Sequence, residues 1–165
     1  MSNSSLRFVA ELDDAIERVP SPGMVSLYGP VGGAPSGSSI VWYGIHAFEM
    51  LHKVMGGGAT SVSTQAWKGG YVCVVEFEDA RHGVVELTED SMIYGGYVRS
   101  YDKAAAFTVD ISTIYDRQLE AVAAFFSGED VGCMPLHSIE VMALLSAADL
   151  SARSGRSEPV KKCKD

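Results

Sequence analysis

The chain has 165 residues, the size of one ordinary domain and enough to bury a core without disulfides or a metal. Hydrophobic residues make up 47% and charged residues 21%, and 13 Lys and Arg against 21 Asp and Glu leave a net charge of −8. That balance excludes the basic stripe of an electrostatic nucleic-acid binder and disfavours an anionic membrane surface, and no apolar run nears the ~18 residues of a bilayer-spanning helix.

The first eight residues carry no apolar core of the signal-peptide kind, which predicts a cytoplasmic protein. Residues 9–19 place Val9, Leu12, Ile16 and Val19 at helical spacing, and Pro20 and Pro22 stop that helix. A short strand is predicted over 24–28. Residues 29–39 then hold four Gly, two Pro and three Ser, a loop long enough to be functional. The spacing of Ile45, Phe48, Leu51 and Met55 predicts a helix over 45–55, ended by Gly56, Gly57 and Gly58.

Strand-like runs follow at 59–67, 71–77, 83–88 and 92–100, with a fifth at 104–111. The run at 71–77 alternates well, with Tyr71, Cys73, Val75 and Phe77 on one face, and 78–83 reads as a hairpin turn. Two helices close the chain. One, over 113–126, should turn Ile114, Leu119, Val122 and Phe126 inward; the other, over 136–154, Ile139, Met142, Leu145 and residues 148–152. Strands grouped between helices predict an α+β domain with an open, predominantly antiparallel sheet and helices on one face. A single domain over 1–160 and a polar tail over 161–165 are expected.

Several chemistries lack their residues. No G-x-G-x-x-G opens a helix after a strand, and there is no P-loop, G-x-S-x-G elbow or H-E-x-x-H. Cys73, Cys133 and Cys163 are odd in number and irregular in spacing, which suits reduced thiols rather than a disulfide framework or a zinc site. His46 and His52 lie about 240° apart around a helix, so they do not form a metal pair. His82 and His137 read as solvated. His46 stands where loop becomes helix; the helix dipole disfavours its cation there, so a neutral imidazole could serve as acid/base, with Glu49 one turn on to orient it. The plainer alternative is a histidine that caps or packs a helix start. Trp42, Tyr43 and Phe48 could line a pocket or simply fill core.

These residues carry a resemblance. Tyr43-Gly44-Ile45-His46-Ala47-Phe48-Glu49-Met50-Leu51, followed by Met55-Gly56-Gly57-Gly58-Ala59-Thr60-Ser61-Val62, resembles the C-terminal domain of the glucose–fructose oxidoreductase/inositol dehydrogenase/MocA (Gfo/Idh/MocA) family. Ser5-Leu6-Arg7-Phe8, Phe125-Phe126-Ser127-Gly128 and the closing helix from Ile139 to Gly155 fit the same pattern in order. The resemblance implies the second half of a two-domain enzyme whose N-terminal Rossmann domain holds NAD(P) and supplies a catalytic lysine. The family's Asp-x-Gly-x-His signature is met at Gly44 and His46, while its Asp position holds Trp42, which cannot accept a proton as a carboxylate does.

The expectation is a substrate-binding and oligomerisation domain for a sugar- or polyol-like ligand. His46 would be catalytic, and Trp42, Tyr43 and Glu49 would contact the substrate. No cofactor is expected on this chain alone; NAD(P) would come with a partner Rossmann chain, and a homo-oligomer would form through the sheet. Two alternatives stand beside it: a cofactor-free isomerase, dehydratase or cyclase using His46 as acid/base, and a non-catalytic binding or assembly module.

Overall fold

A computed structural model describes residues 4–132 and 135–162. Cys133 and Cys163, expected as reduced thiols, lie outside the described residues. In chain order a 3-10 turn at Ser5–Phe8 precedes α1 (Ala10–Arg18), β1 (Met24–Pro30), α2 (Ser39–Met55), β2 (Ala59–Trp67), β3 (Gly70–Phe77), β4 (His82–Thr88), β5 (Gly95–Arg99), β6 (Ala104–Thr108), α3 (Ile114–Phe126), α4 (Pro135–Ser154) and β7 (Glu158–Pro159).

The strands form one seven-stranded sheet in the order β6-β5-β1-β4-β3-β2-β7. Every pairing is antiparallel except β1 with β4. That parallel pair needs a crossover, which α2 and the β2–β3 hairpin supply between them. Alternation decides which face is covered. Val25 and Leu27 of β1, Cys73 and Val75 of β3, and Val85 and Leu87 of β4 are fully buried, under Phe48 and Leu51 of α2 and Leu145 of α4. Each such side chain contributes about 1.5–3 kcal/mol by leaving water. The α+β expectation, with an open, predominantly antiparallel sheet and helices on one face, is met. On the other face Tyr28, Val74 and Tyr97 are exposed.

Three local expectations are corrected. α2 starts at Ser39 rather than Ile45, because Ser38 caps it by accepting from the Val41 N–H. α3 buries no residue: Leu119 and Phe126, expected inward, are exposed. In α4 the inward side is carried by Val141, Leu144, Leu145 and Ala148, while Ile139 and Met142 are exposed. No described helix is long and apolar enough to cross a membrane.

Candidate functional site

His46 lies on the second turn of α2, half-buried. The helix dipole acts within the first turn, so the early start of α2 removes it as the reason for a neutral ring. Burial supplies the reason instead, and it holds the His46 pKa below the ordinary 6.5. The ring is fixed by a segment far away in sequence: Ser4 Oγ bonds His46 Nδ1 at 2.7 Å. The same oxygen accepts from the Leu6 N–H at 3.2 Å, which pins the serine.

Two tyrosines close edge-on around the imidazole. Tyr43 stands 6.3 Å away at 76°, and Tyr94, from the segment leading into β5, 5.9 Å away at 81°. Burial pushes the Tyr94 phenol up to about 12, so it stays a neutral hydrogen-bonding group. Gly29 near the end of β1 and Gly32 in the loop after it make room for these rings. A Cβ on Gly29 would sit 2.7 Å from the Tyr94 ring, and one on Gly32 2.5 Å from the Tyr43 ring.

The four residues singled out from sequence part company here. Tyr43 is half-buried beside His46. Trp42 is 56% exposed. Glu49 is 1% exposed and accepts from Arg7 Nη1 at 3.1 Å. Burial pushes its carboxyl above the ordinary range, against the charge and hydrogen bond of Arg7 and a bond from the Ser4 backbone. The hydrogen bond on the His46 ring is thus Ser4's, and Glu49 is committed to an arginine.

Arg7 organises a second cluster that the sequence did not announce. It bonds Nδ1 of His52 at 3.4 Å and Nδ1 of His137 at 3.2 Å. A guanidinium only donates, so both nitrogens are acceptors. His52 then carries its proton on Nε2 and donates it to Glu140 Oε2 at 2.7 Å. Burial lowers the His52 pKa, with the Glu140 bond opposing. His137, expected to be solvated, is tied to Arg7 instead. The signal available was spacing: Glu49 and His52 lie three residues apart on neighbouring turns of one helix, the same spacing that separates Glu49 from His46. No described group of three His, Cys, Asp or Glu side chains could hold a metal.

No protein-family model and no curated protein sequence matches the chain. Solved structures do. GenD2 from gentamicin A biosynthesis, in complex with NAD, superposes with a TM-score of 0.79 at 14% identity, over 96% of this chain and 62% of that one. Scyllo-inositol dehydrogenase from Lactobacillus casei, with bound NAD(H) and scyllo-inositol, gives 0.76 at 11% identity, over 94% and 63%. Myo-inositol dehydrogenase from Corynebacterium glutamicum gives 0.77 at 11% identity, over 96% and 64%. The chain has the fold of a part of Gfo/Idh/MocA-type dehydrogenases and spans a little under two thirds of their length.

Proposed function

We propose that this chain forms the substrate side of an NAD(P)-dependent dehydrogenase acting on a polyol- or sugar-like ligand, with the nicotinamide held by a Rossmann partner outside these 165 residues. The observation that carries this reading is the His46 arrangement. Ser4 takes Nδ1, Tyr43 and Tyr94 flank the ring, and burial keeps it neutral. That leaves Nε2 to accept or return the proton of a ligand hydroxyl. Tyr43 stands edge-on to the ring and Trp42, one turn before His46, offers an exposed aromatic surface that suits the C–H face of a polyol. Glu49 acts from behind, by holding Arg7 against the helix that carries His46.

The dinucleotide does not fit this chain's own glycine-rich segment. The space over Gly29 and Gly32 that a pyrophosphate would need is filled by the Tyr94 and Tyr43 rings. A partner is further supported by α3, which exposes Tyr115, Leu119 and Phe126 and buries nothing. An apolar helix face of that kind calls for a cover, and the Rossmann part is the one we assign to it. The open sheet face with Tyr28, Val74 and Tyr97 is assigned to a second copy of the chain.

Trp42, standing in the family's carboxylate position, favours the second reading, a cofactor-free isomerase, dehydratase or cyclase with His46 as acid/base. One experiment separates them. The purified protein is titrated with NADH by fluorescence, and turnover of inositols is followed with and without a separately supplied NAD(P)-binding Rossmann domain. No NADH binding alone, and inositol-dependent NADH formation in the pair that His46→Ala abolishes, is expected. Tight NADH binding by the chain alone overturns the reading; nicotinamide-free turnover lost in His46→Ala establishes the second. Light scattering at micromolar concentration should give a dimer or larger, and a monomeric mass counts against the sheet interface.

A further inference from the structure

We propose that a second ligand site lies at the junction of α2 and α4, and that it takes a small apolar carboxylic acid bearing a hydroxyl or ammonium donor. The site is a cavity of about 300 Å³, and His46 is not among its lining residues. That volume lies at the lower end of the range for small-molecule pockets, roughly 300–1,000 Å³. Its apolar wall includes Leu136, Ile139, Leu144 and Val160. Leu136 and Ile139 are 48% and 46% exposed, so the pocket offers hydrocarbon surface that the fold itself leaves uncovered.

The polar groups sit on two elements and have opposite sign. On α4, Glu140 is pre-oriented. One carboxylate oxygen takes the His52 Nε2–H at 2.7 Å, and that imidazole is set in turn by Arg7. The other oxygen lies over the glycine turn, where a Cβ on Gly57 would be 2.7 Å away. The Glu140 side chain is nevertheless 33% exposed, so this carboxylate is held and still reachable. The chain after β7 brings in Lys161 and Lys162. Lys162 pairs with Glu78, and among the described lining residues Lys161 is the cation offered to an anionic group.

A fixed acceptor, a cation and an apolar wall select a ligand by its charges. A plain anion is repelled by Glu140 and a plain amine by Lys161. A molecule that carries both a donor and a carboxylate satisfies both, and its hydrocarbon body covers the wall. Because the acceptor is held before binding, little ordering cost falls on the protein side.

The test is calorimetric titration of the purified protein with L-phenylalanine, 3-phenyllactate, 3-phenylpropionate and phenethylamine. At least one of the first two should bind saturably, and roughly tenfold or more tighter than the last two, which lack the donor or the carboxylate. Whichever of the first two binds more tightly identifies the donor as ammonium or hydroxyl. Glu140→Gln should bring the better ligand down to the level of 3-phenylpropionate, and Lys161→Gln to that of phenethylamine. Gly57→Ala keeps both charges but displaces the carboxylate and should weaken binding as well, with circular dichroism checking the fold of each variant. Affinity should be unchanged in His46→Ala, which separates this site from the proposed reaction. No saturable binding of phenylalanine or phenyllactate overturns the proposal, as does binding that Glu140→Gln and Lys161→Gln leave intact or that His46→Ala removes.

Discussion

Replacing Arg7 by methionine keeps a long side chain in place and removes the cation at the centre of the buried cluster. Arg7 and Glu49 are 5% and 1% exposed. The change strips Glu49 of a hydrogen bond at 3.1 Å, and His52 and His137 of donors at 3.4 and 3.2 Å. Breaking a buried ion pair from one side costs about 3–5 kcal/mol, because the other charge stays buried without a partner. Against a domain stability of about 5–15 kcal/mol that is a large share. At roughly 2–4 °C per kcal/mol, Tm should fall by about 6–20 °C. The pH dependence has a definite sign. Burial already holds the Glu49 carboxyl above its ordinary range, and without Arg7 it climbs further. A carboxyl with a raised native pKa stabilises the fold below its unfolded value and loses that contribution as pH rises through the native one. The penalty of Arg7→Met should therefore be larger near about pH 8 than near about pH 5. Adding Glu49→Leu removes the stranded carboxylate and should recover much of the loss. Urea unfolding of the three proteins at both pH values, with slopes compared, reads all of this. A loss below ~1 kcal/mol at the higher pH, a double variant no better than the single one, or a penalty that grows on acidification would refute the reasoning.

The His46 ring should titrate below 6.5 by NMR, since burial disfavours its cation, and its contribution to stability is present above the unfolded value and lost as pH falls; a midpoint at or above 6.5 contradicts this. Ser4→Ala removes the 2.7 Å bond to that ring, should cost about 0.5–1.5 kcal/mol, and should broaden or shift the ring nitrogen resonances; unaltered resonances would show the bond to be idle. Gly29→Ala drives a methyl group into the Tyr94 ring and should cost about 1–3 kcal/mol while changing the His46 environment, and a neutral effect on both would mean that the ring moves freely. Cys73 is fully buried and its thiol is pushed up to about 11, so mass-mapped alkylation of the native protein should miss it until the chain unfolds.

Much of the architecture was legible because it is written in neighbouring residues. The alternation of Cys73, Val75 and Phe77 marked a half-buried strand, the apolar spacing of residues 9–19 marked α1, and the run from Ala59 to Trp67 is β2 to the residue. The short helix turn at Ser5–Phe8 and the two-residue β7 carry too few residues for any period. Periodicity also failed for α3, since an apolar stripe reports that a face wants cover and not whether this chain provides it. At the site, His46 and Tyr43 stood out by type and spacing. Ser4, Tyr94, Arg7 and Glu140 did not, because the side-chain hydrogen bonds that tie Ser4, Arg7 and Glu140 to the histidines and Glu49 reach across 42 to 130 residues of chain.

Local propensity and the periods of 3.6 and 2 were enough to mark the longer helices and strands and a histidine able to handle a proton. Tertiary structure alone decided that Ser4 holds that histidine, that Glu49 serves Arg7, and that His52 and Glu140 face a cavity. The physical reason is that a side chain's partner is chosen by burial: once the sheet and helices close, each polar group must be satisfied by whatever the fold brings within ~3 Å.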